Sequence, residues 1–184
     1  EITDGSTMVD MDFLRTQMET SWKGKHGLIV LDCCFSGAFQ WSTVTRNFRR
    51  RSTKKVYDRR FTRYTTDDAW QILTSASADE EAVDVVSRLL GSRGAGNNSP
   101  FARALKEGLE GAADFGVLEG EKDGVITVTE LFVYVRDRVR ELTKNSRIKQ
   151  TPDLLELKRH TKGEYMFINP DPRIPFNLPP LPDR

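Results

Sequence analysis

The chain has 184 residues, of which 38% are hydrophobic and 30% are charged, and its formal charge is +1 at pH 7. This length and composition predict one folded domain with a single core, and the absence of any run of roughly 18 apolar residues excludes a membrane-spanning helix. Two adjacent cysteines, Cys33 and Cys34, cannot build a disulfide framework, so we expect a reducing, cytoplasmic protein rather than a small secreted scaffold.

In chain order, the first predicted elements are a helix and a buried strand. Apolar residues recur at helical spacing and predict an amphipathic helix over residues 10–21. The apolar, β-branched run Leu28–Leu31 predicts a strand buried on both faces, as in a parallel sheet. Polar and reactive residues follow it at 32–37, which places them at the carboxyl end of a strand, where open α/β sheets bind their ligands.

Strands and helices alternate through the rest of the chain, and this alternation indicates an α/β fold. The Ser99-Pro100 pair supplies an N-cap and a first-turn proline, so a helix is predicted to begin there and to close at Gly111. The other predicted elements, in order, are a strand at 70–73, an extended piece at 124–127, a helix that contains residues 131–142 and a strand at 165–168.

Two segments stand out by composition. Residues 46–63 contain nine Lys and Arg against one Asp, a local charge of +8. Such a run predicts either a solvated loop or a nucleic-acid surface, and we favour the loop because no recognisable nucleic-acid motif accompanies its aromatic residues. The tail at 169–184 carries six prolines and is predicted to be extended.

The thiol of Cys34 is the side chain best able to carry chemistry. The thiolate is the reactive form, and because free cysteine has a pKa of about 8.5, catalysis needs a base or a positive field nearby. Gly37 lets the chain turn tightly past the sulfur, and backbone N–H groups there can face a developing oxyanion. We interpret Cys33 as a small buried hydrophobic residue. On these residues alone, Cys34 is either a nucleophile or a second buried thiol.

The segment Leu31–Gly37 (LDCCFSG) resembles the Asp-x-Cys-x-Ser-Gly motif of caspase-like cysteine peptidases, especially metacaspases and their bacterial relatives. Further segments are similar to the downstream part of that domain, namely Ile72–Asp84, Ser99–Leu109, Asp123–Arg140 and Gln150–Pro152. The resemblance covers residues 1–168. It implies a caspase-like αβα sandwich with a mostly parallel sheet, incomplete at its N-terminus in this chain, and the activity of a cysteine endopeptidase on a peptide or protein substrate.

The resemblance also implies roles for individual residues. Cys34 matches the nucleophile, and Asp32 matches the acid that lines the primary specificity pocket of metacaspases. A carboxylate there implies cleavage after Arg or Lys, because a charge-assisted pair selects a cation. Phe35 departs from the family pattern, in which His is common. Arg49–Arg51 and Lys54–Lys55 are then candidate self-cleavage sites in a mobile loop.

The catalytic histidine of the family has no match in this chain. In caspases it lies about 50 residues before the cysteine, which corresponds to a position before the first residue here. Of the two histidines in the chain, His26 is expected at the opposite end of the strand that leads to Cys34, and His160 is expected on the surface. We therefore expect a companion chain or an N-terminal segment to supply the histidine. A catalytically inactive interaction module is the alternative.

A calcium site is a third interpretation. Six residues match positions of an EF-hand loop, namely Glu119, Glu121, Asp123, Gly124, Ile126 and Glu130. The first position is Glu where the pattern needs Asp, and no second hand is present to pair with. We favour a turn that leads into a strand and a helix, name no metal ligand, and keep Ca²⁺ only as an alternative cofactor.

Overall fold

A computed structural model describes residues 11–32, 61–76, 98–115, 122–145 and 150–174. The predicted nucleophile Cys34, its neighbour Cys33 and the turn through Gly37 lie outside the described residues. So do most of the basic segment, through residue 60, and the tail from residue 175.

Three helices and five strands are assigned in these ranges. In chain order they are α1 (Met11–Ser21), β1 (His26–Leu31), β2 (Ala69–Thr74), α2 (Pro100–Glu107), β3 (Val125–Thr127), α3 (Val128–Thr143), β4 (Asp153–Glu156) and β5 (Met166–Ile168). Residues 61–66 are also helical, and a π-helical turn, Gly108–Ala112, extends α2. The predicted helices and strands are confirmed to within a few residues, whereas β4 was not predicted.

The strands form two small sheets of mixed direction. The first has the order β1-β2-β4, in which β1 and β2 are parallel and β4 is antiparallel to β2. The second pairs β3 with β5, antiparallel. An α/β fold is confirmed, but the expected mostly parallel sheet is wrong for this part of the chain. The chain enters β4 at Asp153, opposite the last residue of β2, Thr74, so β4 runs back along β2.

Neighbouring residues of a strand point to opposite faces of a sheet, so each strand contributes side chains to both faces. Both faces of the three-stranded sheet pack against helices. One face packs into a buried cluster with α2 and α3, to which the sheet contributes Leu28, Leu73 and Leu154. The other face packs into a cluster with Met18 of α1, to which the sheet contributes Ile29, Leu31, Trp70, Ile72 and Leu155. The sheet is therefore the middle one of three layers in this region.

The two parallel strands differ in burial. All six residues of β2 are buried, as expected of a central strand. β1 is an outer strand of the described sheet, and its Val30 side chain is 39% exposed. The prediction that the strand at 28–31 is buried on both faces is thus wrong for β1, whereas β2, for which no burial was predicted, is buried throughout. None of the helices in the described ranges is long and apolar enough to cross a membrane.

Candidate functional site

The carboxyl ends of β1 and β2 lie side by side. Leu31 is opposite Thr74 in the parallel register, and the Ser75 N–H donates to the Leu31 carbonyl at 2.9 Å, which continues the pairing one step past β2. Asp32 follows β1 directly at this edge. We call this end of the sheet, with Asp32, Ser99 and Gln150 around it, the carboxyl edge. It is the end at which open α/β sheets bind ligands.

Asp32 is exposed and is held by one side chain. The Ser99 hydroxyl donates to Oδ2 of Asp32 at 2.5 Å. The same Ser99 oxygen accepts the Ala102 N–H at 2.9 Å and so caps α2, as predicted. The predicted specificity carboxylate is thereby tied to the N-cap of α2, which lies 67 residues later in the chain.

The turn after β2 is fixed by its own polar side chain. The Thr74 hydroxyl lies 3.1 Å from the Ala76 carbonyl and 3.4 Å from the Asp153 carbonyl, where β4 begins. Ser75 and Ala76 are fully buried. Burial also raises the pKa of the Asp153 carboxyl, although a hydrogen bond from the Leu154 N–H acts in the opposite direction. The small residues after β2 are therefore buried next to the end of β1, which Asp32 follows.

Gln150 is a polar residue at the carboxyl edge that sequence reasoning did not single out. It lies three residues before β4, beyond the end of β2, and only 3% of it is exposed. Among the described residues, neither its Nε2 nor its Oε1 has a hydrogen-bond partner. A buried carboxamide without partners is uncommon, because it loses its bonds to water and gains none in exchange. The Gln-Thr-Pro sequence was noted only as part of the family resemblance.

Both histidines lie at the other end of the sheet. His26 is the first residue of β1, as expected, and its Nε2 is 3.1 Å from the Asp67 carbonyl. The Trp70 N–H donates to Nδ1 of His160 at 3.2 Å, and Nε2 of His160 is 3.1 Å from Glu156 Oε1. The His160 side chain is only 1% exposed. The prediction of a surface histidine is therefore wrong.

His160 is buried because the chain after β4 folds back across the amino end of β2. The Leu157 N–H donates to the Trp70 carbonyl and the Thr161 N–H to the Asp68 carbonyl, each at 2.9 Å. The imidazole between them accepts a main-chain N–H, so its Nε2 carries the proton and donates to Glu156. Both histidines are thus bonded at the amino end of β1 and β2, whereas Asp32 follows the carboxyl end of β1.

Asp123 and Glu130 of the EF-hand interpretation, together with Asp114, accept hydrogen bonds from the main chain. We call Asp114, Asp123 and Glu130 the acidic cluster. Asp114 accepts the N–H groups of Asp123 and Gly124, and Asp123 accepts the Val125 N–H. Gly124 has a φ of 82°, so the segment makes the predicted turn into β3.

Glu130 closes a capping box at the start of α3. Its Oε2 accepts the N–H and the hydroxyl of Thr127, each at 2.9 Å, and its own N–H donates back to the Thr127 hydroxyl oxygen. Burial raises the pKa of the Glu130 carboxyl to about 7, and the nearby Asp123 and Asp114 charges add to the effect. Glu119 and Glu121 lie outside the described residues. Within the described ranges, no three His, Cys, Asp or Glu side chains are arranged to hold a metal ion.

A family model of the caspase domain matches residues 2–161. At the family level this assigns a cysteine peptidase, a class of hydrolase. The comparisons with curated proteins and with solved structures found no significant match.

Proposed function

The chain belongs to the caspase-domain family, and from this premise we propose that it is the nucleophile-bearing portion of a cysteine endopeptidase that cleaves after Arg or Lys, as metacaspases do. The observation that carries the proposal is the carboxylate of Asp32. It is exposed, it lies at the carboxyl edge, and it precedes Cys34 by two residues. An exposed carboxylate next to the nucleophile is suited to a cationic side chain before the scissile bond.

In the proposed reaction, Cys34 attacks the peptide carbonyl as a thiolate. The sulfur forms a bond to the carbonyl carbon, and the electron pair moves to the oxygen, which backbone N–H groups stabilise. The histidine that took the thiol proton of Cys34 then gives it to the leaving amine as the C–N bond breaks, and water adds to the thioester to release the acid and the Cys34 thiol. His26 and His160 are bonded at the other end of the sheet. We therefore propose that the histidine comes from a companion chain or an N-terminal segment.

Asp32 provides the proposed selectivity. A guanidinium group pairs with a carboxylate through two N–H groups and an ammonium group through one, whereas an acidic substrate side chain is repelled. The basic segment at 46–63 contains cationic residues of the kind that this pocket would accept. We propose that one of them, within Arg49–Arg51 or at Lys54–Lys55, is a self-processing site.

The test uses the protein together with the proposed companion chain or N-terminal segment, and fluorogenic peptides that carry Arg, Lys or Asp before the bond. We expect cleavage of the Arg and Lys peptides only, no activity in Cys34→Ala, and a kcat/KM about 10- to 100-fold lower in Asp32→Asn, because a hydrogen bond to a charged group contributes roughly 1.5 to 3 kcal/mol. Mass spectrometry of the same samples should find fragments cut within 46–63 in the wild type and none in Cys34→Ala.

A catalytically inactive interaction module is the competing function. It predicts that Cys34 reacts with a thiol label while the assembled protein hydrolyses none of the peptides. If the protein cleaves after Asp, and the Asp32→Asn variant still does so, the chain is a peptidase but its proposed specificity for Arg and Lys is refuted. Identical processing of wild type and Cys34→Ala would refute self-cleavage alone.

A further inference from the structure

We propose that Ser99 is a positioning residue for substrate selection, because its hydroxyl orients the Asp32 carboxylate toward the guanidinium or ammonium group of the substrate. This inference rests on the proposed function, since it concerns the same pocket. Capping alone was predicted for Ser99, and capping uses only its oxygen as an acceptor.

The hydrogen bonds of Ser99 fix the direction of its proton. A serine hydroxyl has one proton to donate and two lone pairs. One lone pair accepts the Ala102 N–H at 2.9 Å, inside the first turn of α2. The proton is then directed away from the helix, to Oδ2 of Asp32 at 2.5 Å. This distance is typical of a hydroxyl that donates to a charged oxygen.

The core determines where Ser99 lies. It is 9% exposed and is followed by Pro100, whose fixed φ suits a first helical turn. Phe101 and Ala104 of the same helix are fully buried in the cluster that α2 and α3 form against the sheet. The hydroxyl is therefore attached to a packed helix, and its position is fixed by that packing.

The carboxylate has the opposite character. Asp32 is exposed and follows the last residue of β1, so its side chain has solvent-facing rotamers to choose from. The bond from Ser99 selects one of them and uses one lone pair of Oδ2, so both oxygens can still accept N–H groups of a cation. Among the described residues no group donates to Oδ1, and the carboxylate is exposed, so a cation from solvent can reach it. Without Ser99, binding a cation would also have to order this side chain, which costs conformational entropy.

The test measures cation binding and turnover in Ser99→Ala and Ser99→Thr. The probe is agmatine, a small guanidinium compound, used as a competitive inhibitor of the Arg peptide and as a ligand in calorimetry. In Ser99→Ala we expect the agmatine Kd and the KM for the Arg peptide each to rise about fivefold, with kcat within twofold of wild type. Ser99→Thr keeps the hydroxyl and should stay within twofold in all three.

A double-mutant cycle separates positioning from capping. In an Asp32→Asn background, Ser99→Ala should change the agmatine Kd by less than twofold, because the group that Ser99 orients has lost its charge. Ser99→Gly serves if Ser99→Ala folds poorly, since glycine costs only a few tenths of a kcal/mol at an N-cap. If Ser99→Ala lowers the stability of the protein but leaves its affinity for agmatine unchanged, Ser99 acts only as a helix cap. Wild type that neither binds agmatine nor cleaves Arg or Lys peptides would refute the proposed specificity itself.

Discussion

Two helices of this protein begin with a hydroxyl cap, and the two caps use their protons differently. Thr127 at α3 donates to Glu130, three residues along the chain, and the capping box is closed on itself. Ser99 at α2 donates to Asp32, on a different element. The same contrast separates the two regions that the caps belong to. In the acidic cluster the carboxylates are bonded to main-chain N–H groups. At the carboxyl edge, Asp32 Oδ1 and the Gln150 carboxamide have no partner among the described residues.

This difference distinguishes polar groups that hold the fold from polar groups that are free to bind a ligand. A carboxylate that accepts backbone N–H groups satisfies donors that would otherwise be buried without partners, and a ligand would have to replace those bonds. A ligand that binds an exposed carboxylate with an unused oxygen has no such bonds to replace. Residue type alone does not make the distinction, since both regions contain a carboxylate. The hydrogen bonds do.

The largest expected effect concerns Glu130 and pH. Its pKa is raised in the folded protein to about 7 from 4.5, chiefly by burial. The folded state therefore binds this proton more tightly than the unfolded chain does. The stabilisation is complete below about pH 4.5 and is lost as the pH rises through about 7. Over that window the loss amounts to at most about 3 kcal/mol. Urea unfolding of wild type and Glu130→Gln at pH 5 and pH 8 measures it.

Glu130→Gln is a suitable variant because its amide oxygen still accepts the Thr127 N–H, so the capping box is kept. The two proteins should be similarly stable at pH 5, and the variant should be the more stable one at pH 8. If wild type and Glu130→Gln have the same difference in stability at pH 5 and at pH 8, ionisation of Glu130 costs the folded protein little free energy.

The next effect is loss of the α3 cap. Thr127→Ala removes the hydroxyl that accepts the Glu130 N–H and donates to the Glu130 carboxylate. We expect a loss of about 1 to 2 kcal/mol in the free energy of unfolding, as is typical of N-cap removal. Thr127→Ser is the matched control and should lose much less. Agmatine binding should be unchanged in both, and a weakened affinity in Thr127→Ala would show that the two regions are coupled.

Local patterns predicted most elements of this fold, because their causes are local. The cap at Ser99 and the periodic apolar residues of α3 are visible in the sequence itself. β4 is different. It has two apolar residues between two acids, and it is a strand because Leu154 and Leu155 pair with Leu73 and Ile72 of β2. Such pairing depends on residues about 80 positions away, and no pattern within β4 announces it.

The candidate site also has features that local sequence predicts and features that depend on residues far away in the chain. The position of Asp32 at a strand's end could be predicted from the apolar run before it, whereas its bond to Ser99 joins residues 67 positions apart. His160 was misjudged because its neighbours are basic. Arg159 lies over the Trp70 ring, with its guanidinium carbon 4.3 Å from the ring centroid, and donates to the Trp22 carbonyl. The charged stretch therefore packs against the protein, and the imidazole beside it is buried.

The smallest expected effect, about 1 kcal/mol, concerns Gln150. Replacing a buried carboxamide that has no partners with an apolar group of similar length removes an unpaid desolvation cost, so Gln150→Met should raise the free energy of unfolding. Gln71→Met is the matched control. Gln71 is also fully buried, but it accepts the Tyr165 N–H at 3.0 Å and donates to Glu164, so its loss should destabilise the protein. If Gln150→Met raises the free energy of unfolding in urea and Gln71→Met lowers it, the Gln150 amide makes no hydrogen bond in the folded protein. If both variants lose stability, the Gln150 amide is bonded in the folded protein, and Asp32 is then the one open polar side chain of the three that define the carboxyl edge.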